Sequence, residues 1–149
     1  MVKRQVFYSF HHENDAWRAS QVRNMGVVEG NSTTSDNDWE EIKRGGNTSI
    51  QNWIDSQMKG RSCVVVLIGA ETAGRRWINY EIMSAIDSNK KIIGIYIHNL
   101  KNSDSDGTPA HKGADPFPKG SDIKAYDPTG DNSQEVYSCI KNNIERWLE

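Results

Sequence analysis

The side chains of this chain that have chemistry to offer gather just after its apolar runs. Ser9, Phe10, His11 and His12 come at and after the end of one run, residues 69–76 follow another, and residues 98–100 follow a third. In an open parallel sheet the ligand crevice lies beyond the carboxyl ends of the strands, so these are the first places to look. No GxGxxG and no GxxxxGK followed by Ser or Thr is present, so the usual dinucleotide and triphosphate cradles are missing. Glu81 is the most pointed candidate. On a helix over residues 76–89, Ile78, Ile82, Ala85 and Ile86 form an apolar stripe, and Glu81 stands about 60° off it, with Trp77 one turn earlier. A carboxylate at such an edge, beside an indole, is partly desolvated and available to a bound cation. The same spacing also suits a surface Glu81 paired with Arg75, Arg76 or a lysine, with Trp77 in the core.

Other candidates carry less. His11 and His12 are neighbours whose side chains point apart, and no third ligand has a supporting spacing, so no metal is expected. Cys63 and Cys139 lack any CxxC or metal pattern and read as free thiols, one in a strand and one on a terminal helix. Arg75 and Arg76 could meet a pyrophosphate, although arginine before a helix opposes its dipole and can instead bridge to acidic neighbours.

The elements that must position these groups can be read from hydrophobic patterning. Residues 6–10, 63–68 and 92–97 are short apolar runs, the last two continuous and β-branched, as in strands buried on both faces. Helical patterns lie between and after them, giving the order strand, helix, helix, strand, helix, strand, loop, helix. That order predicts an α/β domain with a mainly parallel sheet, helices on both faces and right-handed crossovers. Residues 122–126 suit an edge strand, and residues 26–29 leave room for a short one. A helix over 49–59 is marked by Thr48 and Gln51 as a capping box, by Ile50, Trp53, Ile54 and Met58 as a stripe, and by Gly60 as a stop. The last helix opens near Asp131, Asn132 or Ser133 and carries Val136, Tyr137, Ile140, Ile144, Trp147 and Leu148 at helical spacing.

At 149 residues the chain is the length of one domain, 1–149. Its apolar fraction of 36% is low, and the mean hydropathy is −0.74. Two polar stretches account for much of this: residues 30–46, in which 38–43 could form one helical turn, and residues 101–122, with three of the four prolines. A net charge of −2 gives no basic face for nucleic acid. No run is long enough for a membrane helix, and no leader pattern opens the chain, so a cytoplasmic protein is expected.

Six segments in order carry a resemblance. They are residues 6–11 (VFYSFH), 39–43 (WEEIK), 65–69 (VVLIG), 76–82 (RWINYEI), 92–97 (IIGIYI) and 113–117 (GADPF). Together they resemble the TIR-like family, and more narrowly the TIR subunit of the bacterial Thoeris antiphage system. The resemblance implies a flavodoxin-like TIR fold with a catalytic glutamate in a WxxxE context, which Trp77 and Glu81 fill. It implies cleavage of the bond between nicotinamide and ribose in NAD+, here a substrate and not a cofactor. The product would be a cyclic ADP-ribose isomer that activates a separate effector protein. Phe7, Tyr8, Phe10 and Trp77 are then candidate walls, with Ser9 binding the nicotinamide amide or phosphates. Because strand side chains alternate, Phe7, Tyr8 and Phe10 cannot all face the pocket. Asp36, Asp38 and Trp39 fall in the loop that borders the site and mediates self-association in TIR domains. The competing reading is a noncatalytic TIR scaffold acting by protein association, with Glu81 structural. A phosphoacceptor domain fits poorly, because the first strand ends without an acidic pair for Mg2+.

Overall fold

The computed structural model describes residues 3–30, 36–100 and 110–149. Six consecutive apolar residues leave nothing to keep in water, and the chain buries all of them as strand β2 (Cys63–Ile68). Burial of each large aliphatic side chain contributes about 1.5–3 kcal/mol. Strand β1 (Val6–Ser9) lies on one side of β2, and β3 (Lys91–Tyr96) and β4 (Lys124–Tyr126) follow on the other, all parallel in the order β1-β2-β3-β4. Outside β1, Val6 donates its N–H to the Glu29 carbonyl at 2.9 Å, and Glu29 donates to the Arg4 carbonyl at 2.9 Å. The short strand expected near 26–29 is thus a single bridge, Gln5 to Glu29. Counting it as the second strand position restores the flavodoxin-like order 2-1-3-4-5.

Alternation along the strands divides the core. Val6, Tyr8, Cys63, Val65, Leu67, Ile93 and Ile95 point to one face. There Ala19 and Val22 of helix α1 (His12–Arg23) and Val136, Ile140 and Ile144 of the C-terminal helix (Ser133–Trp147) cover them. Phe7, Val64, Val66, Ile68, Ile92 and Tyr96 point to the other face. Between β1 and β2, α1 is followed by α2 (Asp36–Arg44) and α3 (Gly46–Met58), and α4 (Arg76–Asp87) joins β2 to β3. Ile50, Ile54 and Met58 of α3 and Ile78, Ile82 and Ala85 of α4 close the second face. The C-terminal helix is therefore α5, and the Asn132 side chain caps it by accepting from the Glu135 N–H at 2.9 Å.

Two local expectations are corrected. The polar stretch 30–46 holds a nine-residue helix, α2, where the sequence suggested at most a turn. The next helix starts at Gly46, two residues before Thr48 of its supposed capping box, so Thr48 lies inside its first turn and does not cap it. The cause is the Gly45-Gly46 pair. Gly46 has φ +81°, a conformation that L side chains rarely adopt, and it turns the chain directly from α2 into α3.

Candidate active site

Ser9 is the last residue of β1, and its row across the sheet continues through Val66 and Gly94. These small or short side chains leave space above the second face near its carboxyl edge. Phe117 fills that space over Gly94, where any Cβ would crowd its ring. Over β1 it admits Glu81, whose Oε1 accepts the Ser9 hydroxyl hydrogen at 2.7 Å. Glu81 is only 6% exposed and Ser9 is fully buried. The sequence spacing had put Glu81 on the margin of its helix, and the structure places it inside, because its neighbour comes from across the sheet and not from its own stripe. Desolvation pushes the Glu81 carboxyl up to about 8, opposed by the Ser9 hydrogen bond.

The arginines are engaged elsewhere. Arg75 pairs with Glu71 at 3.5 Å, and the Arg76 guanidinium lies 4.8 Å from the centroid of Trp77. Trp77 is half-buried and meets Tyr80 edge-on at 5.7 Å, while Tyr80 donates to Asp55 Oδ1 at 2.9 Å. An indole face and a protonatable carboxyl thus stand one turn apart on α4, Trp77 on the half-buried side and Glu81 inside.

The other candidates separate. Phe7 shares a face with Ser9 but is 1% exposed, deep under α3 and α4. Tyr8 is buried on the opposite face, its hydroxyl pushed upward by desolvation, and its ring fills the place of a Cβ at Gly30. Phe10 packs on that opposite face too and stacks on His12 with centroids 5.9 Å apart. Asp36 and Trp39 lie in α2, but their side chains, like that of Asp38, lie outside the described residues. Lys43 of α2 reaches Glu13 of α1 at 3.1 Å, which draws α2 to the start of α1. Burial and the Arg75 charge hold His11 below the usual imidazole range. Among the described residues no group of three or more His, Cys, Asp or Glu could hold a metal ion. Cys63 is a buried free thiol and Cys139 a half-buried one.

One cluster escaped the sequence reading. Asp15 and Arg18 are fully and almost fully buried and paired at 3.3 Å. Their spacing with Ala19 and Val22 is i, i+3, i+4 and i+7, so polar residues in a core stripe were the available signal.

A parallel α/β sheet with a buried carboxylate at its carboxyl edge, on the helix that follows β2, is the arrangement that the resemblance to TIR-like domains implies. Residues 7–102 match the family described as Thoeris protein ThsB, TIR-like domain, and this chain belongs to that family. A relative from Bacillus cereus (strain MSX-D12), named "Putative cyclic ADP-D-ribose synthase ThsB1", is 35% identical over 155 residues, covering 100% of this chain and 77% of its own. A crystal structure of a 3-dehydroquinate dehydratase-like protein from Bifidobacterium longum aligns with 15% identity and a TM-score of 0.37, covering 99% of this chain and 98% of that one. At that score the likeness carries nothing about fold or chemistry.

Proposed function

We propose that this chain is an NAD+ nucleosidase and ADP-ribosyl cyclase of Thoeris antiphage defence, with Glu81 as its catalytic carboxylate. The observation that carries the reading is the buried Ser9–Glu81 hydrogen bond at the carboxyl edge. The family and the name of the Bacillus cereus relative point the same way.

The chemistry needs little more. When the bond from C1′ of ribose to the nicotinamide nitrogen breaks, the electron pair goes to the ring, which leaves neutral. No general acid is required, unlike in glycosidases that use two carboxylates. One carboxylate stabilises the oxocarbenium-like ribose, and its effect is larger where water is excluded. In the cyclase reaction a nucleophile of the same ADP-ribose unit bonds to C1′ and gives up its proton. With water as nucleophile the product is linear ADP-ribose.

Glu81 holds its proton in the free protein at neutral pH, and the cationic nicotinamide ring favours its loss on binding. Trp77 supplies an aromatic wall, and Ser9 keeps the carboxyl oriented. Phe7 and Tyr8 serve from the core, by fixing the strand that carries Ser9. Asp36 and Trp39 belong to α2, the helix assigned to substrate contact and self-association, whereas Phe10 supports β1 from the opposite face. The cyclic product acts as a messenger to a separate effector, and the chain works in the cytoplasm. Among the described residues no helix is long and apolar enough to cross a membrane. A pure scaffold has no use for a carboxyl buried at this cost.

Incubation of the purified protein with NAD+, and of extracts from phage-infected cells that express it, tests the reading. Free nicotinamide and a product lighter than ADP-ribose by one water are expected. Their absence from both preparations contradicts the cyclase assignment.

A further inference from the structure

The strand ends that hold Ser9 and lead to Glu81 are joined through one residue that the mechanism does not use. Asp15 lies in the first turn of α1, where its backbone N–H donates to the His11 carbonyl at 2.9 Å, two residues beyond Ser9. Its carboxylate presses on Gly69, the residue after β2, so closely that any Cβ there would overlap Oδ1, Oδ2 and Cγ. Gly69 is fixed on its other sides as well. Its N–H donates to Thr72 Oγ1 at 2.8 Å, and its carbonyl sits where a Cβ of Gly113 would be. Arg18 completes the node. Its Nη1 binds Asp15 Oδ1 at 3.3 Å and its Nε donates to the Leu100 carbonyl at 2.9 Å, beyond β3.

Asp15 Oδ2 is buried with no hydrogen-bond partner among the described residues. A buried pair that leaves one oxygen unsatisfied is a poor device for stability, since apolar residues of similar volume often serve as well. We propose that Asp15, held by Arg18 and seated on Gly69, is a positioning residue that sets the distance between the β1 and β2 ends and so holds Ser9 against Glu81. It touches neither of them. The proposal rests on the reading of Glu81 as the reacting carboxylate.

Four variants test it: Asp15→Asn, Ser9→Ala, these two combined, and the double variant Asp15→Leu with Arg18→Met. The first readout is turnover of NAD+. Asp15→Asn is expected to lower kcat about 10–100-fold with KM changed less than about twofold, the pattern of misplacement and not of lost binding. Its combination with Ser9→Ala is expected to be little worse than the more damaging single change, because both act on one contact. The apolar double variant is expected to melt as cooperatively as the native chain yet remain slow. The second readout is the Glu81 carboxyl followed by 13C NMR in the protein without substrate, which is expected to titrate at a different pH in the apolar double variant. An apolar variant with native kcat and an unmoved Glu81 titration overturns the proposal, as do strictly multiplicative effects of Asp15→Asn and Ser9→Ala. A native chain inert toward NAD+ in both purified form and infected-cell extract fails the enzymatic reading alone, and the NMR comparison still decides the positioning role.

Discussion

Glu81 and Ser9 behave as a pair whose properties neither has alone. Unfolded, Glu81 ionises near its ordinary value of 4.5, and folded it keeps its proton until about 8. Between those values the folded state binds the extra proton, so stability falls as pH rises and levels off above about 8. Glu81→Gln is therefore expected to unfold at higher denaturant than the native chain at pH 9, by roughly 2–5 kcal/mol, and with little difference at pH 4. A denaturant series at the two pH values checks it. For the proposed catalysis the sign reverses, because there the carboxylate is the working form. The kcat/KM for nicotinamide release should rise with pH and inflect near 8, the value of the free protein. Ser9→Ala removes the hydrogen bond that favours the carboxylate, so the inflection should move up and the rate at pH 7 should fall about tenfold. Glu81 was visible in the sequence as an odd carboxylate beside a stripe. Its partner was not, because periodicity describes one helix and Ser9 comes from a strand 72 positions away in the chain.

The elements themselves were legible in proportion to how apolar they are. Cys63–Ile68 is bounded as its β-branched run suggests, and α5 opens at the polar residue next to its first apolar turn. Helix α2 was not legible, since Asp36–Arg44 offers only Trp39 and Ile42 as apolar residues, and a polar nine-residue segment reads as loop. Its end is set by backbone geometry, not by a stripe. Gly46→Ala should cost about 1–2 kcal/mol, because φ +81° disfavours any Cβ, and melting should fall by about 2–8 °C. Gly69 and Gly113 belong to the same class of information. Their lack of a side chain permits the close approach of the first turn of α1 and the segments at Gly69 and Gly113, and nothing in their local sequence names the partner.

At the scale of the molecule, the low apolar fraction is reconciled with a real core. Strands β1, β2 and β3 are buried on both faces, and polarity is concentrated in exposed helix faces and connecting segments. Leu67, fully buried at the centre of the sheet, should cost about 2–5 kcal/mol on change to Ala. The single domain expected from the chain length predicts that the loss appears as a shift of one cooperative transition. The parallel order explains why the site lies where it does. All strands end on one edge, so one row of short side chains there suffices to seat a carboxylate between sheet and helix. We propose that this carboxylate performs the chemistry. The most direct test is nicotinamide release from NAD+ by native protein and by Glu81→Gln, in preparations shown to be equally folded and from cells treated alike. Glu81→Gln is expected to lose at least about 100-fold, the scale for removing one preorganised electrostatic group. Equal release by the two proteins would contradict it.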